Sequence, residues 1–254
     1  MIHAETAALI IGGTQGLGLA IARALMDQGC TRIVITGRDA AKGEAAAQRI
    51  GAVFMALDLA DASDVIATVN RARDRLGDLT ALVNAAALTD RGGIRDTTPE
   101  DFDRMMAANV RAPFFAIQTF ANLAIAAGHP AQVVNILSMA AHCGQTFLAP
   151  YSASKAALLN ITKNAANALR HDRIRVNGLN CGWMDTPGED MIQRKYHGGG
   201  DDWLQKAEAS QPMGTLVKPD HVATLAAYLL GSGSGVITGS IIDFDQNVSG
   251  SYPE

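Results

Sequence analysis

The chain has 254 residues, 48% of them hydrophobic, enough to build one large α/β domain or two small ones. A formal charge of −4 gives no electrostatic footprint for nucleic acid or an anionic membrane surface. Three scattered cysteines, Cys30, Cys143 and Cys181, form no CxxC pair, which suits a reducing compartment and argues against a disulfide scaffold or a zinc site.

The N-terminus lacks a basic n-region, and its apolar run is too short for a secretory signal. No uninterrupted apolar run reaches about 18 residues, so no membrane span is expected. The expectation is a cytoplasmic protein acting on a small molecule, with no nucleic-acid or membrane partner and no metal.

The first predicted strand, "AALIIGG" (7–13), runs into the glycine string "GGTQGLG" (12–18), and a helix pattern follows over 17–29. Glycines at 12, 16 and 18 allow a tight turn, close approach of a phosphate and close helix packing. The helix N-terminus behind them offers free amide donors and a positive dipole end to a pyrophosphate. Between a first strand and a first helix, such a string reads as a dinucleotide-binding loop. The second strand, "RIVITG" (32–37), ends on Gly37, where an acidic residue would bind the ribose 2′-hydroxyl of NAD. Arg38 follows instead, and a guanidinium suits a 2′-phosphate. NADP(H) is therefore favoured. NAD(H) is the alternative, with Arg38 facing solvent and Asp39 making the ribose contact. Gln15 adds no second cation. A helix is expected over 40–50, then a third strand, "AVFMALDL" (52–59). Asp58, at its end, is placed to accept from an adenine amine or to cap the next helix, 62–75.

The fourth strand, "ALVNAAA" (81–87), leads to a long helical stretch over 99–127. Thr98 is its expected N-cap, with Pro99 at the first position and Glu100 and Asp101 at the positive end. Pro113 has no amide hydrogen, so the Asn109 carbonyl loses its i+4 donor, and a kink or break is expected near residue 110. The fifth strand, "QVVNILS" (132–138), closes on Ser138 at the carboxyl edge, where ligands bind in such sheets. Its hydroxyl either holds a substrate oxygen or bonds the loop backbone. Thirteen residues on, "YSASK" opens a helix over 151–170 and puts Tyr151 and Lys155 on one face. An ammonium beside a phenol favours the phenolate and lowers its pKa from about 10.

The strands "IRVNGLNCG" (174–182) and "SIIDFD" (240–245), with a helix over 219–230 between them, complete the order. Continuous apolar strands alternating with helices predict one domain built on a doubly wound parallel sheet of about seven strands. Residues 187–216 break the rhythm and read as a lid over the substrate, hinged at Gly198–Gly200. The "HGGG" at 197–200 is similar to a lipase oxyanion motif, but no GxSxG nucleophile accompanies it. Glu189, Gln193, Arg194 and His197 from this excursion, with His142 and Gln145, make a polar lining suited to a sugar or polyol. Cys143 and Cys181 read as buried structural thiols.

"GGTQGLG", "LVNAAA", "NV" at 109–110, Ser138 and "YSASK" together resemble the short-chain dehydrogenase/reductase family, in order and over nearly the whole chain. The resemblance implies a single-domain Rossmann-like fold and hydride transfer between a nicotinamide and a secondary alcohol or carbonyl. It places a catalytic tetrad on Asn109, Ser138, Tyr151 and Lys155. Tyr151 would be the general acid/base and Ser138 would polarise the substrate oxygen. Lys155 would bind the ribose and lower the phenol pKa, while Asn109 would hold a relay water. Cofactor contacts would fall on Gly12, Thr14, Gln15, Gly16, Leu17 and Gly18, then on Arg38, Asp58 and Leu59. Others would be Asn84, Ala85 and Ala86, Tyr151 and Lys155, then Gly182 and Thr186. Substrate would meet Ser138, His142, Gln145, Tyr151 and Trp183.

A homodimer or homotetramer is also implied, through the alanine-rich helix that contains "ASKAALLNITKNAANAL". The chain departs from the family pattern at Ile11, at Ala85–Ala87, at Cys181 and at "DFDQN". A 3-oxoacyl-thioester or keto-ester reductase is a second reading. A non-catalytic dinucleotide sensor is a third, disfavoured because Tyr151 and Lys155 are both present.

Overall fold

Runs of Ala, Ile, Leu and Val supply the side chains that pack best on a sheet covered on both faces, and all seven predicted runs are strands. The computed structural model describes residues 1–251. The strands are β1 (Ala7–Ile11), β2 (Arg32–Gly37), β3 (Val53–Ala56), β4 (Ala81–Asn84), β5 (Ala131–Ser138), β6 (Ile174–Cys181) and β7 (Ile241–Phe244). Every pairing is parallel, in the order β3-β2-β1-β4-β5-β6-β7. The order reverses between β1 and β4, where Leu9 lies opposite Val34 on one side and Leu82 on the other. A crevice opens at the carboxyl ends of the strands at such a switch point. β1, β3 and β4 stop short of their predicted ends because the chain leaves the ladder there to line this crevice.

Helices α1 (Gly16–Asp27), α2 (Ala40–Ile50), α3 (Ala62–Leu76), α4 (Pro99–Met106), α5 (Ala112–Ala127), α6 (Ala149–Leu169), α7 (Pro187–Tyr196), α8 (Trp203–Ala209) and α9 (Pro219–Leu230) complete the fold. Buried residues of α1, α2 and α9 cover one face of the sheet, and those of α3, α5 and α6 cover the other. The expected N-cap at Thr98 forms: its hydroxyl accepts the Asp101 N–H at 3.1 Å. Asp61, not Asp58, caps α3.

The break expected near residue 110 is a widening. Pro113 cannot donate, and Ala107–Arg111 form a π-helical turn in which the Ala112 N–H reaches the Ala107 carbonyl. By length and composition the continuous rod Pro99–Ala127 could cross a membrane, but here Ala116, Phe120 and Ala124 bury its inner side in the core.

Residues 187–216 fold as α7 and α8 joined by the glycine loop. Trp203, Ala207 and Leu216 form a small core of their own. Thr186 caps α7, its hydroxyl accepting the Glu189 N–H at 3.1 Å. Helix α7 is tied across the crevice mouth by Tyr196, whose hydroxyl donates to Asp90 at 3.2 Å.

Candidate active site

The glycine loop is held against β2 by the Gly13 N–H, which donates to the Thr36 carbonyl at 3.1 Å. Gly12 has φ +85°, and a Cβ there would lie 2.6 Å from the Ala86 nitrogen. A Cβ on Gly18 would collide with the Gly12 carbonyl. Helix α1 starts at Gly16 with no side-chain cap and no acidic residue in its first turn. Its first amides are therefore free to meet an anion. These features fit a dinucleotide pyrophosphate, and they open into a cleft of about 960 Å³.

Ser138, Tyr151 and Lys155 meet on one wall of that cleft. Ser138 ends β5, and its hydroxyl accepts the Ala140 N–H at 3.2 Å, so the backbone bond expected as an alternative is present. The hydroxyl also reaches the Tyr151 phenol. Lys155 is buried, with its Nζ donating to the Ile136 carbonyl at 2.8 Å and lying 5.7 Å from the centre of the Tyr151 ring. The expected lowering of the phenol pKa is not what the structure gives. Burial pushes Tyr151 up to about 12, only partly opposed by the Ser138 hydrogen bond. Lys155 is turned toward Ile136 and does not neutralise the phenolate, and burial lowers its own pKa to about 8.

Asn109 stands on the π turn and does not line the cleft. Its amide clamps Leu88 from both sides, accepting the Leu88 N–H at 2.8 Å and donating to the Leu88 carbonyl at 2.9 Å. It also donates to the Ser154 hydroxyl at 3.0 Å, joining the β4 loop, the π turn and α6.

The cleft gathers most of the predicted cofactor residues: Gly12, Thr14 through Gly18, Arg38, Leu59, Ala85, Ala86, Gly182 and Thr186. Two lie outside it. Asn84 turns inward, donating to Asn135 at 2.8 Å. The Asp58 carboxylate accepts the Ala60 N–H at 2.9 Å, which closes its own turn. Of the substrate candidates, Gln145 and Trp183 line the cleft and His142 does not. The His142 ring instead meets Asp243 at 3.0 Å and Asn180 at 2.7 Å. Glu189, Gln193 and His197 line the cleft, whereas Arg194 turns outward to Asp190 and Asp201. Of the cysteines, Cys181 is buried as expected, but Cys143 is exposed because the turn after β5 carries it outward.

Sequence reasoning missed two cations. Lys42, one turn into α2, lines the cleft with Arg38, and a scan of each helix start after a strand would have found it. Arg91 lines the opposite end. It lies seven residues beyond the end of β4, in a loop with no periodicity to give it a direction.

A crevice at the switch point, an uncapped helix N-terminus and a Ser–Tyr–Lys group on the crevice wall define a dinucleotide-binding α/β protein with an acid–base group at its crevice. Residues 12–248 match the family model described as enoyl-(acyl carrier protein) reductase. The chain is 30% identical to galactitol 2-dehydrogenase of Agrobacterium fabrum, over 94% of this chain and 95% of that protein. It is also 30% identical to the NADP-dependent (R)-specific alcohol dehydrogenase of Lentilactobacillus kefiri, over 92% of both chains. A solved short chain dehydrogenase/reductase family protein superposes with a TM-score of 0.83 at 31% identity, covering 96% of this chain and 97% of that one. The chain belongs to the short-chain dehydrogenase/reductase family. It is an NAD(P)-dependent enzyme acting on CH–OH and C=O groups.

Proposed function

We propose that the protein is an NADP(H)-preferring reductase of a carbonyl on a hydroxylated substrate, working through Ser138, Tyr151 and Lys155. The observation that carries this reading is the meeting of these three side chains at the carboxyl end of β5, beside a cradle that admits a pyrophosphate. Gly12, Gly16 and Gly18 would hold the dinucleotide, whose nicotinamide would supply the hydride chemistry at the substrate carbon. Ser138 positions the substrate oxygen. Tyr151, a neutral phenol whose ionisation burial opposes further, would donate the proton to that oxygen in reduction and take it back in oxidation. Lys155 supplies a positive charge on the same helix face, and Asn109 fixes the π turn that abuts this face.

The preference for NADP(H) rests on the cation pair Arg38 and Lys42 at the cleft wall. Asp39, the competing acid, has one oxygen committed to the Lys42 N–H at 3.0 Å as the α2 cap. A homo-oligomer is proposed as well, since Phe114 and Tyr228 leave large apolar surface exposed on α5 and α9.

Titration of the purified protein with NADPH and separately with NADH, followed by nicotinamide fluorescence, tests the cofactor reading. Tighter NADPH binding is expected, and tighter NADH binding overturns the assignment of Arg38 and Lys42. For the chemistry, Tyr151→Phe should lower kcat by roughly 10²–10⁴-fold while NADPH still binds. Turnover that survives the substitution removes Tyr151 from the mechanism.

A further inference from the structure

Arg91 is the one cleft-lining cation that the proposed chemistry leaves unused, because Arg38 and Lys42 face the other end and Lys155 is buried. Its guanidinium is built into place by groups that carry no negative charge. Its Nε–H donates to His197 Nε2 at 3.1 Å, one terminal amine donates to the Thr89 carbonyl at 3.2 Å, and the Phe147 ring lies 5.5 Å beneath. His197 is pinned in turn by an edge contact with Phe147, their centroids 5.5 Å apart.

Among the described residues no carboxylate lies within ion-pair distance of Arg91, and its second terminal amine has no hydrogen-bond partner. Its sequence neighbour Asp90 faces away, toward Arg104 at 3.5 Å and Lys195 at 3.9 Å. Glu189, an acid lining the same cleft, accepts from Trp183 at 2.8 Å and from Gln193 at 2.7 Å, both through Oε1, and makes no ion pair with Arg91. The cleft therefore holds a preoriented cation with one open donor face, on the side away from the dinucleotide loop.

We propose that Arg91 receives a carboxylate of the substrate, so that the carbonyl compound of the reading above carries an acid group and is an oxo acid reduced to its hydroxy acid, in preference to its neutral counterpart. This rests on the reductase reading above. A planar guanidinium with a free edge matches a carboxylate, and the half-buried setting strengthens the pair over one in open water. His197 belongs to the lid and Arg91 to the β4 loop. The same contact thus couples acid recognition to a seated lid.

The test compares three pairs of ketones that differ only in –COO⁻ against –CH₂OH: pyruvate and hydroxyacetone, acetoacetate and 4-hydroxybutan-2-one, 4-oxopentanoate and 5-hydroxypentan-2-one. In at least one pair the acid should show the larger kcat/KM, by about tenfold or more. That ratio should fall to near one in Arg91→Gln, chiefly through KM, and recover in part in Arg91→Lys. Neutral members that equal or exceed the acids in all pairs, or a ratio that survives Arg91→Gln, overturn the proposal. Should none of the six be reduced, calorimetry of butanoate against butan-1-ol on the cofactor-loaded protein decides, and equal binding overturns it. Failure of the underlying reading looks different, because turnover would then persist in Tyr151→Phe whatever the substrate charge.

Discussion

Replacing Lys155 by Met should abolish activity and yet stabilise the fold at neutral pH. Lys155 is 3% exposed, and burial lowers its pKa from 10.5 to about 8. At 1.36 kcal/mol per tenfold change in acidity, keeping this ammonium charged inside the protein costs about 3 kcal/mol. Methionine has similar length and no charge, but it leaves the Ile136 carbonyl without its donor, which costs about 1–3 kcal/mol. A net stabilisation of about 1 kcal/mol remains at pH 7, or a rise of about 2–4 °C in Tm for a chain of this size.

The pH dependence of this effect is the sharper signature. Below pH 8 the lysine is charged in both states and the full penalty applies. Between pH 8 and 10.5 the unfolded chain holds the proton that the folded one has released, so wild-type stability rises with pH. Urea denaturation of both proteins across pH 7 to 10.5, read as the difference between them, cancels the other titrating groups. That difference should shift by about 3 kcal/mol in favour of the wild type. A flat difference would refute the claim that Lys155 is a penalised buried cation.

Arg38→Ser should weaken NADPH binding by about tenfold or more and leave NADH binding little changed, as read by fluorescence titration. Gly12→Ala should lose dinucleotide binding and fold poorly, since its φ of +85° and the Ala86 backbone at 2.6 Å both reject a Cβ. Differential scanning fluorimetry with and without cofactor reads both effects. Phe120→Ala removes a side chain with no exposed surface from the α5 face of the core, and should lower unfolding stability by about 3–5 kcal/mol in urea titrations.

The sequence was most legible where one physical rule acts alone. Strands buried on both faces must be continuously apolar, and α2 runs from a strand end to Gly51 while α9 runs from Pro219 to Gly231, so their bounds match the reading. The glycine loop was legible because close backbone approach leaves few other residues usable. Legibility failed where a polar side chain had two partners to choose between. Asn84 and Asp58 face the cleft by position, but one turns to Asn135 and the other to its own loop backbone. His142 was assigned to substrate, yet Asp243, 101 residues away in sequence, takes its ring. The Tyr151–Lys155 spacing placed both groups correctly on one helix face. It could not show that a carbonyl of β5 would hold the lysine, because that depends on how α6 sits on the sheet.

The distribution of buried polar atoms explains why this choice matters. The amino-terminal halves of β1, β4 and β5 are aliphatic where they pack: Ala7 through Ile10, Ala81 and Leu82, Val133 and Val134 are closed to solvent, and only β6 buries a polar side chain, Asn177, in that half. The carboxyl ends hold the polar groups. Asn135 receives the Asn84 amide and passes its own to Thr162 at 2.9 Å, which donates to the Leu158 carbonyl at 2.8 Å. This chain stitches β4, β5 and α6 together directly beneath Lys155. Even so, Asn84 Oδ1, Ser152 Oγ and Asn180 Oδ1 are buried without a partner, at the end of β4, the first turn of α6 and the end of β6. Each such atom costs about 1–3 kcal/mol, and Lys155 adds its own penalty at the same edge. One end of the sheet thus supplies rigidity, and the other carries polar groups that a stability-optimised core would omit. That asymmetry is expected where side chains must stay available to a ligand rather than to each other.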